Sequence, residues 1–236
     1  MLTMKLASLR AVFLDAGNTI LGMDYVLLAE VAGRAGLRVR PEEVWRAEAA
    51  ARVRLDALLA TGRSTETVDT FRRYCDLILE GIQVPEGSVR DALRERVAAA
   101  EVRERLWSVA MPGVVAAMAR IKALGLKLGI VSNADGRVAE RLRHAGLDQH
   151  LDYIGDSRLI GSEKPDPGIF QHVAAHLGVR PDQALHVGDL HAIDVVGAQR
   201  AGIPAVLLDP FDLWGERGCP KARDLTQVVD QFLTGA

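Results

Sequence analysis

Short apolar runs bounded by turn residues organise the chain. The run Ala11–Leu14 ends directly before Asp15 and Gly17, which is typical of a buried parallel strand. Comparable runs predict further strands at residues 126–131, 153–154, 184–187 and 205–208. Amphipathic segments between and after them predict helices at residues 114–124, 138–145, 169–177 and 192–201. Strands alternating with helices predict an α/β fold with a doubly wound, Rossmann-like parallel sheet.

The segment after the first strand has a different pattern. From about residue 24 to residue 109 the apolar positions follow a helical period, and almost no strand signal is present. Gly62, Pro85 and Gly87 separate these helical segments. The pattern predicts an all-helical cap domain at residues 21–109, inserted into a core domain formed by residues 1–20 and 110–236.

Composition restricts the partners of this chain. Its 236 residues carry a formal net charge of −2, so no overall field favours nucleic acid or an anionic membrane surface. No apolar run reaches the ~18 residues that a membrane helix needs. Cys75 and Cys219 cannot form a disulfide framework, and Lys5 and Arg10 interrupt the apolar start, which argues against a secretion signal. These features favour a cytoplasmic location.

Polar residues follow the predicted strands at the edge where α/β proteins bind ligands. Asp15 follows the first strand, Ser132 and Asn133 the second, and Asp189 the strand at residues 184–187. Lys164 and Asp194 lie in the segments nearby. Clustered carboxylates need a cation, and hard oxygen ligands suit Mg²⁺. An aspartate can also attack phosphorus as a covalent nucleophile, while Mg²⁺ and a lysine neutralise the phosphoryl charge.

Taken in order along the chain, these groups resemble the haloacid dehalogenase (HAD) superfamily, in the branch with a helical cap after the first motif. Four motifs carry the resemblance: Asp15-Ala16-Gly17-Asn18-Thr19-Ile20, Ser132-Asn133, Lys164-Pro165-Asp166-Pro167, and Gly188-Asp189 with Asp194. The resemblance implies a HAD hydrolase that acts on a small phosphorylated metabolite.

The resemblance also implies a role for each matching residue. Asp15 is expected to be the nucleophile and a metal ligand, and Ser132 and Lys164 to hold the transferring group. Thr19 and Asn133 are expected to support the phosphate or the nucleophile's loop. The implied Mg²⁺ ligands are Asp15, the Gly17 carbonyl, Asp189, and Asp194 either directly or through water.

One position departs from the family pattern. Phosphatases of this superfamily usually carry a second aspartate where this chain has Gly17, and that aspartate acts as general acid and base. General acid–base catalysis is typically worth about 10²–10⁴-fold, so a slow phosphatase is expected, or one whose leaving group needs no protonation or whose acid comes from the substrate or the cap.

Other functions stay open from the sequence. A non-catalytic phospho-ligand binder would explain Gly17. A 2-haloacid dehalogenase would also use Asp15, but it works without metal and lacks the acidic ligand that Asp189 supplies. A phosphonatase needs a cap lysine, and residues 21–110 contain none. A mutase would need the missing acid.

A few other side chains have more ordinary expectations. The arginine-rich runs of the cap, including Arg52 and Arg54, predict solvated helix faces with i,i+4 ion pairs, although one or two arginines could bind an anionic substrate group. Trp45 and Trp107 are expected in the core.

Overall fold

The computed structural model describes residues 8–99 and 106–234. Three parts of the domains predicted from the sequence lie outside the described residues: 1–7 and 235–236 of the core and 100–105 of the cap.

A parallel sheet forms the centre of the molecule. Its six strands stand in the order β5–β4–β1–β6–β7–β8. They are β1 (Ala11–Leu14), β4 (Lys127–Ser132), β5 (Tyr153–Asp156), β6 (Ala184–Gly188), β7 (Ala205–Leu208) and β8 (Lys221–Ala222). Strand β1 pairs with β4 on one side and β6 on the other, and all of its side chains are buried. The predicted parallel α/β sheet is thereby confirmed, with β8 as a strand that the sequence analysis missed.

Helices cover both faces of this sheet. They are α5 (Val114–Ala123), α6 (Val138–His144), α7 (Ser157–Ile160), α8 (Pro167–Leu177), α9 (Val196–Arg200) and α10 (Leu225–Val228). Met118 of α5 and Leu142 of α6 are buried against one face, together with Val228 of α10. Phe170 of α8 and Ala198 of α9 are buried against the other face. Two apolar layers therefore enclose the sheet, as expected for a doubly wound fold.

A mainly helical insertion stands between β1 and α5. It contains α1 (Tyr25–Arg34), α2 (Pro41–Leu59), α3 (Val68–Gly81) and α4 (Ser88–Ala98), which share their own apolar core. Two strands, β2 (Leu21–Met23) and β3 (Trp107–Ala110), flank these helices and pair antiparallel. The sequence analysis predicted only helices here. Strands of three and four residues are too short to show a period, and the burial of β3 does not alternate.

The segment after β6 also differs in detail from the prediction. A continuous helix was expected at residues 192–201, but the chain first makes one π-helical turn, His191–Val195, and then continues as α9. Turns of this kind occur often at functional sites. Within the part of the chain that the structure describes, no helix has the length and apolarity needed to cross a membrane.

Candidate active site

A cleft of about 190 Å³ lies between the carboxyl ends of the central strands and the helical insertion. Its floor includes Asp15, Lys164, Asp189 and Asp194 from the sheet side. Its opposite wall comes from the insertion and includes Arg52, Leu55, Phe71, Tyr74 and Trp107. Charged groups therefore occupy one side, and mainly apolar and aromatic groups the other.

Lys164 connects two of the carboxylates on the floor. Its Nζ lies 2.5 Å from Asp15 Oδ1 and 2.7 Å from Asp194 Oδ1. All three side chains are buried, and the Lys164 side chain is only 2% exposed. Burial by itself would lower the pKa of Lys164, but Asp15 and Asp194 outweigh it and hold this pKa above its usual range. The ammonium therefore stays charged beside Asp15.

Asp194 has a donor on every side. Its Oδ1 contacts Lys164 and also His186 Nε2, which is 3.0 Å away. Its Oδ2 accepts the backbone N–H groups of Asp189 at 3.2 Å and Leu190 at 3.0 Å. Burial raises the pKa of Asp194, but Lys164 and His186 outweigh burial and lower it overall. Its carboxylate thus fixes the loop that carries Asp189.

The close approach of Asp194 depends on Gly188. A Cβ atom at position 188 would lie 2.2 Å from Asp194 Cγ, which no relaxed structure tolerates. Strand β6 therefore ends in a residue without a side chain because the Asp194 carboxylate fills that space.

Asp189 has a partner from the insertion. Arg52 Nη1 on α2 donates to Asp189 Oδ2 at 3.1 Å, and Arg52 Nε lies 2.7 Å from Glu48 Oε1. Arg52 and Glu48 are fully buried, at 2% and 0% exposure. The expectation of a solvated Arg52 is wrong, because its guanidinium neutralises two buried carboxylates, one of them across the cleft.

Two of the carboxylates on the floor, Asp15 and Asp189, have raised pKa values. Burial raises the pKa of Asp15 to about 6, with Lys164 opposing the rise and Asp194 adding to it. Burial also raises the pKa of Asp189 well above its usual range, with Arg52 opposing and Asp15 adding to the rise. Both carboxylates would therefore gain from an additional positive charge between them.

That electrostatic demand fits a divalent cation. Asp15 and Asp189 line the same cleft, and the charge of Asp15 adds to the rise in the pKa of Asp189. Hard carboxylate oxygens are ligands that Mg²⁺ accepts. Residues 8–99 and 106–234 contain no cluster of three or more His, Cys, Asp or Glu side chains placed to hold a metal. The three acidic ligands expected from the sequence, Asp15, Asp189 and Asp194, are therefore not arranged as such a cluster, and Asp194 is already paired with Lys164 and His186. Asp15, Asp189 and the Gly17 carbonyl are the groups that could hold the ion together with water.

Asn133 holds the lysine segment in place. Its Oδ1 accepts the backbone N–H of Lys164 at 2.7 Å, and its Nδ2 donates to the Lys164 carbonyl at 2.9 Å. Nδ2 also donates to Thr65 Oγ1 of the insertion at 3.0 Å. Asn133 therefore orients Lys164 and also contacts the opposite wall.

Two expected site residues lie outside the cleft lining. Ser132 is buried at the end of β4, where its hydroxyl donates to the Asn133 carbonyl at 3.4 Å. Thr19 is buried, and its Oγ1 has no hydrogen-bond partner among the residues described. The structure thus brings Asp15, Gly17, Asn133, Lys164, Asp189 and Asp194 to the cleft, and it places Ser132 and Thr19 behind its surface.

Gly17 lies under an aromatic side chain. A Cβ atom at Gly17 would meet Trp107 Nε1 at 3.4 Å and Trp107 Cδ1 at 3.6 Å, which are ordinary contact distances. Trp107 was expected in the core, yet it is only half-buried and lines the cleft. An indole therefore borders the position at which the family usually places its second aspartate.

The neighbouring Asn18 is tied to the insertion. Its backbone is left-handed, with φ 54°, and its Nδ2 donates to Tyr74 Oη at 3.1 Å. Tyr74 in turn donates to Glu48, so its oxygen is left to accept from Asn18. This chain of contacts connects the loop after β1, which carries Asp15, with the buried Glu48–Arg52 pair.

Sequence reasoning missed most of the insertion's contribution. Glu48, Arg52 and Asp56 are spaced four apart on α2, and all three are buried. They share the helix with buried Val44, Leu55 and Leu59. Their register with an apolar stripe is the sequence signal that could have found them.

The parallel sheet, the Asp–Lys pair at its carboxyl edge and the helical insertion define a Rossmann-like α/β fold with a helical insertion above its candidate site. The model of the family described as haloacid dehalogenase-like hydrolase matches residues 9–202. This chain therefore belongs to the haloacid dehalogenase-like hydrolase family, and the resemblance seen in its motifs is confirmed.

Individual relatives agree with this assignment. The chain is 35% identical to mouse haloacid dehalogenase-like hydrolase domain-containing protein 3 over 52% of its own length and 49% of the relative's. It thus spans about half of that relative. It is 30% identical to the phosphoserine phosphatase of Thermus thermophilus over 85% of its own length and 81% of that protein's.

The fold agrees with solved structures as well. The Bacillus subtilis HAD-hydrolase YfnB, crystallised with magnesium, superimposes with a TM-score of 0.67 at 18% identity. The match covers 96% of this chain and 99% of YfnB, so the similarity in fold extends over the insertion as well as the core.

Proposed function

We propose that this protein is a magnesium-dependent phosphatase that hydrolyses a small phosphorylated metabolite through Asp15. The observation that carries the proposal is the buried contact between Asp15 and Lys164, 2.5 Å apart at the floor of the cleft. A carboxylate nucleophile beside a fixed ammonium has the two charges that phosphoryl transfer requires. The phosphatase among the relatives supports the same reaction class.

The cation would be held by Asp15, the Gly17 carbonyl and Asp189. Bound there, Mg²⁺ would supply positive charge for the phosphoryl oxygens. Asp194 has a positioning role in this proposal, because its two oxygens already accept from Lys164, His186 and two backbone N–H groups. The helical cap at residues 21–109 would cover the substrate and exclude water.

The reaction uses the protein's own groups in two steps. A carboxylate oxygen of Asp15 forms a bond to phosphorus, and the bond to the leaving oxygen breaks with its electron pair. Water then attacks the aspartyl phosphate, releases inorganic phosphate and restores the Asp15 carboxylate. Lys164 balances the phosphoryl charge in both steps.

Position 17 provides no general acid to protonate the leaving group. Gly17 provides no acid, and the side chain beside it is the indole of Trp107. Asp135 also lines the cleft. Burial raises its pKa, but Arg141 outweighs burial and lowers the pKa overall, so Asp135 is ionised. Esters or anhydrides whose leaving oxygen is stable as an anion, such as aryl or acyl phosphates, are therefore the favoured substrates, unless Glu66 of the insertion, which also lines the cleft and whose pKa burial raises, supplies the proton.

The alternatives make different demands on the site. A 2-haloacid dehalogenase needs no cation, and the basic pair Asp15 and Asp189 argues against it. A non-catalytic phospho-ligand binder would use Lys164 in the same way but would release no phosphate.

Phosphate release from p-nitrophenyl phosphate tests the proposal. Turnover with Mg²⁺ is expected to disappear with a chelator and in Asp15→Asn, which keeps the shape of the side chain but removes the nucleophile. Turnover that persists with the chelator refutes the cation assignment. Phosphate binding without any turnover identifies the binder, and chloride release from 2-chloropropionate identifies the dehalogenase.

A further inference from the structure

One face of helix α2 is directed at the core. Trp45, Glu48, Arg52 and Asp56 lie three or four residues apart and therefore share this face. Trp45 packs edge-on against Phe211 of the core, with ring centroids 4.9 Å apart. These contacts make α2 the element that seats the insertion on the sheet.

Two polar contacts from α2 reach the loop after β6. Arg52 Nη1 lies 3.1 Å from Asp189 Oδ2, and Asp56 Oδ1 accepts the Ala192 N–H at 2.6 Å. The Arg52 contact uses an oxygen of a residue that the proposed function assigns to the cation. A cation that binds this oxygen must share it with a guanidinium or replace it.

Repulsion between a divalent ion and Arg52 makes sharing unfavourable, although the ion would balance the charge of the cluster as a whole. The buried charge cluster contains four carboxylates and two cations, Arg52 and Lys164. The carboxylates are Asp15, Glu48, Asp189 and Asp194. A divalent ion would supply the two missing positive charges, but it would then stand against the Arg52 guanidinium in a site of low dielectric, where like charges repel strongly. Arg52 can leave Asp189 and keep a counter-charge, because its Nε lies 2.7 Å from Glu48 Oε1 in an ion pair.

We infer that Arg52 and a divalent cation compete for Asp189, so that cation binding opposes the seating of helix α2 on the core. The inference rests on the proposed cation site. Because linkage is reciprocal, whatever weakens the Arg52 contact must tighten cation binding, and the cation must loosen the α2 contacts with the loop after β6.

Calorimetric titration with Mg²⁺ alone tests the first consequence. Arg52→Gln is expected to bind Mg²⁺ about tenfold more tightly than the unaltered protein, within the range typical of coupled sites. Arg54→Gln is the matched control, since Arg54 lies on the same helix, is 53% exposed and pairs with Glu80 at 2.7 Å. It is expected to leave the affinity unchanged.

Hydrogen exchange tests the second consequence in the unaltered protein. The Ala192 N–H donates to Asp56, and Mg²⁺ is expected to raise its exchange rate in the unaltered protein. In Arg52→Gln, Mg²⁺ is expected to leave the exchange rate of this N–H unchanged. If Arg52 acted only through its long-range charge, Arg52→Gln would bind Mg²⁺ more tightly, but Mg²⁺ would not change the exchange rate of the Ala192 N–H in the unaltered protein. That result would overturn the competition.

A second variant provides a test in case Arg52→Gln does not fold. Arg52→Gln leaves Glu48 buried without its cation, so Glu48→Gln/Arg52→Met removes both charges while position 48 keeps an acceptor for Tyr25 and Tyr74. Equal Mg²⁺ affinity in this variant and in the unaltered protein refutes the competition but leaves the proposed cation site standing. Absence of Mg²⁺ binding in every protein refutes the proposed cation site itself.

Discussion

Lys164 stands between Asp15 and Asp194, with its Nζ 2.5 Å from one carboxylate and 2.7 Å from the other. One ammonium thus joins the loop after β1 to the turn after β6, and the side chains of all three residues are at least nine-tenths buried. The stability of the fold and the proposed catalysis depend on the same contact.

Lys164→Met tests the stability part of this relationship. It leaves two buried carboxylates without their cation, which typically costs about 3–5 kcal/mol. Urea unfolding should show this loss. Lys122→Met is the control, because the Lys122–Asp152 pair is one-third exposed and such surface pairs contribute about 0–1 kcal/mol. Equal losses in the two variants would contradict a special role for Lys164.

Gly17→Asp tests the missing acid. The site has room for a Cβ, since Trp107 Nε1 would lie 3.4 Å away. Turnover of alkyl phosphates is expected to rise by about 10²–10⁴-fold, and turnover of aryl phosphates much less, because only the alkyl leaving group needs a proton. Gly17→Ala introduces the same Cβ without the carboxyl group, and a similar gain there would exclude acid catalysis as the cause.

Gly188→Ala tests the close approach of Asp194. Its methyl group would lie 2.2 Å from Asp194 Cγ, so the β6 strand end or the following turn has to move. A loss of about 1–3 kcal/mol, the usual cost of overpacking, is expected in thermal or chemical unfolding. Gly33→Ala, in a helix with no atom within 4 Å of the new Cβ, should instead be neutral or stabilising by up to about 1 kcal/mol.

Asp209→Asn tests the loop that carries Phe211. Asp209 accepts the N–H groups of Leu213 at 2.7 Å and Trp214 at 3.1 Å, and Lys221 at 2.9 Å. Burial raises the pKa of Asp209, but these partners, Lys221 first, outweigh burial and lower it overall. At pH 7 the variant is expected to lose about 1–3 kcal/mol of unfolding free energy.

The pH dependence of that loss has a definite sign. A carboxyl whose pKa is lower in the folded than in the unfolded protein stabilises the fold above its unfolded pKa of about 4. The difference between the unaltered protein and Asp209→Asn should therefore be constant from pH 8 to about pH 5 and shrink below about pH 4. Asp212→Asn is the control, since Asp212 also contacts Lys221 but is 88% exposed. A difference that grows in acid would contradict the assignment.

The central fold was predictable because its strands are buried on both faces. Such strands appear as continuous apolar runs, and β1 and β7 have the bounds that the runs indicate. Strand β8 has only two residues, and β2 only three, so backbone pairing defines them without any side-chain period. Nothing in a single sequence records that pairing.

The candidate site divides in the same way. Residues that follow strands, such as Asp15 and Asp189, could be placed at one sheet edge from topology alone. Arg52 was not placed, because the cap is rich in arginine and its register with the apolar positions of α2 does not name its partner across the cleft. Asn18 was assigned no role of its own, and its link to Tyr74 joins residues 56 positions apart.

The pairing of β2 with β3 has an engineering consequence. Leu21 stands opposite Ala110, so the chain leaves the sheet domain and returns to it through neighbouring residues. A short linker across this ribbon would close the gap, which makes the intervening segment an exchangeable cassette. Lids from related enzymes could be grafted at these two positions to alter substrate choice, provided that the graft replaces the contacts that Arg52 and Tyr74 make with Asp189 and Asn18.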